Sequence, residues 1–252
     1  MNQISTGNLN LIPNPIKLQS ICKSISALEV IICPEWEFRY YSYQRDWCED
    51  EEVFEMRNGE GDQMLILFSN NGTCINGFAH KSKMNCWRDI KRHQKRSIID
   101  KVFGRKKSLI TKLMHEAPTG VLDGLPGIFE DFIFGEPIKS IGTTFCIWQT
   151  NSDIEWKTGQ IEWPEYNYKD GSSELLQVLD GNPLSYKKWA DEYYVEYFEE
   201  RFEDNKIKLN LVEEIYNHTV LTVELVNSIN PKLENIERLK SDLQRIGYEH
   251  KL

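Results

Sequence analysis

The sequence predicts an α+β fold: one mainly antiparallel sheet covered by an N-terminal helix and a helical C-terminal part. Three observations predict it. Met64 to Phe68 is apolar at every position, as in an interior strand, and leads to Asn71-Gly72, a dipeptide suited to a tight hairpin turn. Thr143 to Thr150 is a second run of strand formers. From Ser172 to the end, apolar residues recur at three- and four-residue steps, the period of helices.

In chain order, Ile16, Leu18, Ile21, Cys22, Ile25 and Leu28 fall on one face of a helix, with Asn14 as N-cap and Pro15 in its first turn. Val30-Ile31-Ile32 either extends that helix or begins an extended segment, which Pro34 stops. Trp36 to Tyr43 alternates in the manner of a half-buried strand. Glu49 to Glu52 reads as a solvated loop, Val53 to Met56 as a short strand, and Arg57 to Asp62 as a turn. If Asn71 and Gly72 form the hairpin loop, Asn70 faces Thr73 and Phe68 faces Ile75.

Two helices with a break near Gly104 fit the basic stretch that follows, an excursion from the sheet at about residues 81–116. Leu125 to Phe134 predicts a short apolar helix closed by Gly135 and Pro137. Ile154 to Trp156 and Ile161 to Trp163 alternate with acids, making a meander with Thr143 to Thr150. The helical part, about residues 172–252, then holds Ser172 to Leu179, an aromatic helix from Tyr186 to Phe202, Leu209 to His218, Thr222 to Ile229 and Pro231 to Ile246. The aromatic helix reads as core, and its tyrosines also suit an interface. The expected organisation is a single domain over residues 1–252.

Composition bounds function. Hydrophobic residues at 40 % and charged residues at 27 % fit a globular chain and argue against disorder. No apolar run approaches the roughly 18 residues a bilayer span needs, and no basic-then-apolar leader follows Met1. The expectation is a cytoplasmic protein without membrane contact. The six cysteines form no C-x-x-C pair, so buried free thiols are expected, with no metal and no cofactor.

The net charge of −9 hides an asymmetry: Lys81 to Glu116 holds 12 basic residues against Asp89, Asp100 and Glu116. Arg92, Lys95 and Arg96 beside Trp87 have the chemistry to meet phosphates and stack on a base. A sequence pI near 5.2 argues against a dedicated nucleic-acid domain. Docking on the protein's own acidic surface or on another subunit ranks first, a solvated helix face second, and nucleic-acid binding third.

Catalytic patterns are sparse. Arg57 to Asp62 contains G-x-G without a third glycine, and its acids would repel a phosphate. No G-x-S-x-G elbow occurs. Cys74, Cys86 or Cys146 with His80 would make a nucleophile pair, although structural thiols are the simpler account. None of the five histidines has the i, i+4 spacing of zinc enzymes. Glu155 and Glu162, beside Trp156 and Trp163, have the residue types for acid–base work or sugar binding. The wet face of an edge hairpin explains them equally well and more simply.

Trp36 to Trp47, Phe54 to Gly59, Gly77 to His80, Thr143 to Trp148 and Asp170 to Pro183 together resemble a family of bacterial cytosolic proteins of unknown function. Against that pattern, Lys91 to Lys112 looks like an insertion. Gly120 to Phe132 is also similar to the L-P-x-x-[FY] helix of SUKH-type immunity proteins. The resemblance implies a cytoplasmic bacterial protein, immunity-like in role, and no particular activity.

The leading expectation is a non-catalytic binding protein whose acidic body suits a basic protein partner. A second copy of the chain is a further candidate partner. The alternatives are a hydrolase using surface carboxylates or His80, and nucleic-acid binding through residues 88–112.

Overall fold

The computed structural model describes residues 3–82, 84–85, 120–135, 142–161, 169–199 and 206–252. Helix α1 (Pro15–Ile32) starts where its caps predict: the Asn14 side chain accepts from the Lys17 amide, and Pro15 fills the first turn. Val30 to Ile32 belong to the helix. Its last turns are buried all round, because α1 lies between the sheet and the C-terminal helices.

Six described strands form one antiparallel meander: β1 (Tyr41–Cys48), β2 (Glu51–Arg57), β3 (Gln63–Ser69), β4 (Gly72–Phe78), β5 (Phe145–Thr150) and β6 (Lys157–Thr158). Among the described residues, helix α2 (Glu130–Phe134) lies between β4 and β5 in sequence. A 3₁₀ turn, Gly127–Phe129, leads into it and Gly135 ends it. The C-terminal part holds α3 (Ser172–Leu175), α4 (Pro183–Tyr193), α5 (Val195–Glu199), α6 (Leu209–Tyr216), α7 (Val223–Ile229) and α8 (Ile236–Ile246). A short parallel pair, β7 (Leu221–Thr222) with β8 (His250–Lys251), ties the C-terminus to the α6–α7 connection. The architecture is α+β, as the sequence predicts.

Each sheet face has its own core. Tyr41, Phe54, Met64, Ile66, Ile75 and Phe145 pack under α1 and the C-terminal helices. Leu65, Leu67, Cys74, Cys146 and Trp148 pack against Val121, Phe129 and Phe132 on the other face. Burial on both faces is why β3 is apolar throughout.

The hairpin departs from its expected register. Ser69 faces Gly72 and Ile66 faces Ile75, so Asn70 and Asn71 form the loop. Neither asparagine has positive φ, so the turn is not of the expected primed type. Instead the Ser69 hydroxyl braces it, accepting from the Asn71 amide and donating to the Gly72 carbonyl. Gly72 serves a different purpose: a Cβ there would lie 2.5 Å from the Gln149 carbonyl, so β5 closes onto β4 only beside a glycine. The slip moves the pairing by two residues, and a side-chain period of two keeps every side chain on its expected face.

Other segments also differ from expectation: Glu51 and Glu52, expected in a solvated loop, open β2 and pair with Ser69 and Phe68. Trp36–Phe38 is a 3₁₀ turn, and β1 starts only at Tyr41. Ile154 to Trp156 lies in the β5–β6 connection, where the Trp156 indole donates to the Pro13 carbonyl instead of pairing in the sheet. The aromatic helix is interrupted at Tyr194, whose backbone leaves helical geometry. The last helix starts at Ile236 because Asn235 caps it, not Asn230-Pro231. Asn230 is spent elsewhere, donating from its buried side chain to the Ile31 carbonyl at the end of α1. Most of the basic excursion lies outside the described residues.

Candidate functional site

The most developed surface feature grows out of the loop between α1 and β1. Arg39 turns inward, its Nε donating to the Cys33 carbonyl at 2.7 Å and its guanidinium to the Pro34 carbonyl at 2.7 Å. An ion pair with Asp242 of α8 at 2.6 Å completes its contacts. This buried arginine folds 33–39 into a tight loop and overrides the strand-like alternation. As a result Trp36 and Phe38 point outward, 49 % and 61 % exposed.

Across from them, the junction of α4 and α5 presents Tyr193 and Val195, 41 % and 43 % exposed. Tyr193 is no stray surface ring. It stacks on Trp189 at 5.1 Å and meets Tyr40 edge-on at 4.8 Å, so an aromatic ladder runs from the core to the surface. The Arg57 guanidinium lies over the Trp36 ring at 4.1 Å, joining the β2–β3 turn to the same patch. Between Phe38 and the α4–α5 junction is a cleft of about 520 Å³, lined by Glu37, Phe38, Asn58, Tyr193, Tyr194 and Glu196 among others, whereas Trp36 lines a separate cleft beside β1.

Beneath this cleft a carboxylate is wholly buried. Glu29 of α1 accepts from the Tyr186 hydroxyl at 2.8 Å, the Tyr194 hydroxyl at 2.5 Å, and the amides of Tyr40 and Tyr41 at 3.1 Å each. Burial pushes its pKa up, and these four donors oppose that rise in part. Burial and then the neighbouring carboxylate push both tyrosines up, so they stay protonated and able to donate. Glu29 has no exposure, and its role is to lock α1, β1 and α4 together.

His80 has an identifiable partner. Its Nδ1 lies 2.6 Å from Asp62 Oδ1, and its amide donates to the same oxygen at 2.8 Å. Asn58 braces Asp62 in turn, donating to it and accepting from its amide and that of Glu60. This explains Arg57 to Asp62: it is an Asx-type turn fastened to the end of β4. A carboxylate-held histidine has the geometry of an oriented base. Among the described residues no hydroxyl or thiol hydrogen-bonds to its ring.

The other expected residues fall elsewhere. Glu155 is exposed in the β5–β6 connection, at the opposite end of the sheet from His80, with roughly 20 Å of strand between them. The structure therefore does not bring those two together. Arg92, Lys95, Arg96, Trp87 and Glu162 lie outside the described residues. Cys74 and Cys146 meet across neighbouring strands with sulfurs 3.8 Å apart, fully buried, and burial holds the Cys74 thiol well above its ordinary pKa. That environment suppresses the thiolate a nucleophile needs. Among the described residues no cluster of three His, Cys, Asp or Glu side chains is placed to hold a metal ion, and no helix is long and apolar enough to cross a membrane.

Two further clefts flank β1. One of about 430 Å³ lies beside α8 and crosses from β1 onto β2 and β3, with Trp36, Trp47, Val53, Leu65 and Arg245 in its lining. The other, about 710 Å³, is bordered by Asp46, Glu49, Asp50 and Glu51 near the start of α1.

Sequence reasoning missed the exposed aromatic patch, because Trp36 and Phe38 alternate like strand residues and Tyr193 shares a stripe with core aromatics. One signal was available: Pro34 followed by two large aromatics between charged neighbours. No family model, no curated protein and no solved structure matches this chain.

Proposed function

We propose that this chain is a non-catalytic, cytoplasmic bacterial protein that binds a basic protein partner through the patch formed by Trp36, Phe38, Tyr193 and Val195. The observation that carries this reading is the patch itself: Phe38, Tyr193 and Val195 line one cleft, Trp36 is tied to it through Arg57, and each of the four is at least 41 % exposed. Glu35, Glu37, Glu192 and Glu196 are exposed around them. Large aromatics and arginine are the residues that most often carry interface energy, and an acidic rim selects a basic partner. An immunity role, in which the partner is one toxic protein, is the form favoured by the similarity of Gly120 to Phe132 to immunity proteins.

The test compares tagged wild-type chain with the Trp36→Ala/Phe38→Ala double variant in recovery of a stoichiometric partner from the native cell. The expected result is a partner of basic pI, lost in high salt and weakened roughly thirtyfold or more by the double substitution. Equal recovery by both proteins would overturn the reading. So would a patch-dependent dimer of the chain itself, seen by sedimentation.

A further inference from the structure

We propose that the cleft between Phe38 and Tyr193 is a receptor for a single arginine side chain of the protein partner, an assignment that rests on the protein-binding reading above. The argument is one of unspent groups. Arg39, which lines the cleft, is consumed by two carbonyls and Asp242. The Tyr194 hydroxyl is consumed by Glu29. Asn58 is consumed by the turn it braces. Arg57 lies over Trp36 and faces Glu55 at 3.7 Å, so its charge is shared.

What remains in the cleft is Glu37 and Glu196, both exposed and neither in an ion pair among the described residues. These are hydrogen-bond acceptors that carry negative charge, and Phe38 and Tyr193 line the same cleft. A guest that satisfies such a site must donate hydrogen bonds, carry positive charge and present a flat face to an aromatic ring. The guanidinium does all three, whereas an ammonium lacks the flat face. The molecule already uses this pairing once, where Arg57 covers Trp36.

The test titrates N-acetyl-arginine methylamide into the full chain and follows the side-chain NMR signals of Phe38 and Tyr193. N-acetyl-lysine methylamide serves as the comparison. Saturable shifts confined to the cleft are expected with the arginine probe in the millimolar range, with affinity for lysine at least roughly threefold weaker. The Glu37→Gln/Glu196→Gln variant, checked by its melting curve to be folded, is expected to lose roughly fivefold or more. Absence of saturable shifts, an equal response to lysine, or unchanged affinity in the double variant would each overturn the assignment. The two readings fail separately. Partner recovery that depends on Trp36 and Phe38 but ignores Glu37 and Glu196 removes the arginine receptor and leaves the protein-binding surface. An arginine response without any patch-dependent partner does the reverse.

Discussion

One aromatic ladder, from Tyr186 through Trp189 to Tyr193, has a closed end and an open end. At the closed end Glu29 is fully buried and receives four hydrogen bonds from the protein itself. At the open end Glu37 and Glu196 line the same cleft as Phe38 and Tyr193, with no ion-pair partner among the described residues. Ring chemistry is similar at both ends, and what differs is who supplies the donors. A buried carboxylate must be satisfied internally or the fold is lost, whereas an exposed one is solvated until a partner displaces the water. The comparison separates residues that hold the fold from residues left for recognition.

The largest effect belongs to the closed end. Glu29→Ala leaves two tyrosine hydroxyls and two amides without their acceptor and opens a void. The expected loss is about 3–4 kcal/mol of unfolding free energy at neutral pH, measured by urea denaturation. A loss below about 1 kcal/mol would mean the hub contributes little, and the distinction between the two ends would collapse.

A subtler measurement asks which force dominates at Glu29. Burial raises its pKa from the usual value near 4.5, so the folded state holds this proton more tightly than the unfolded state. Stability from this group is therefore full below about pH 4.5 and falls as pH rises through the raised folded-state value. Glu29→Gln has no such proton. The stability of wild type relative to Glu29→Gln should thus be greatest in acid and decline toward neutral pH. A relative stability that grows with pH would show that the four donors outweigh burial.

How much of this was legible beforehand follows from how local each cause is. Helix α1 was readable because Asn14, Pro15 and the apolar stripe lie within its own span. The sheet was readable because β3 and β5 are apolar on both faces. The 33–39 loop was not, because its conformation is set by Arg39 reaching Asp242, an element far along the chain. The hairpin turn misled for a related reason, since Gly72 answers to the approach of β5 and not to its neighbour Asn71. The Glu29 hub left a trace in the sequence: an acid one turn after Ile25 on a buried stripe, matched by a tyrosine-rich helix later in the chain. The patch left almost none, since exposure of an aromatic is a tertiary outcome.

The smallest expected effect is the most discriminating for the open end. Trp36→Ala and Phe38→Ala remove large side chains, yet both are about half or more exposed and the loop they stand on is held by Arg39. If these rings exist for recognition, each truncation should shift unfolding free energy by no more than about 0.5 kcal/mol, because a surface site away from caps and core has little to lose. Trp36 carries an intramolecular contact, the Arg57 guanidinium at 4.1 Å, so it should sit at the upper end of that range and Phe38 at the lower. Thermal and urea unfolding of the two single variants supply the measurement. Losses of about 2 kcal/mol or more would place these rings with the closed end as structural aromatics, and the surface would lose its claim to be a binding site.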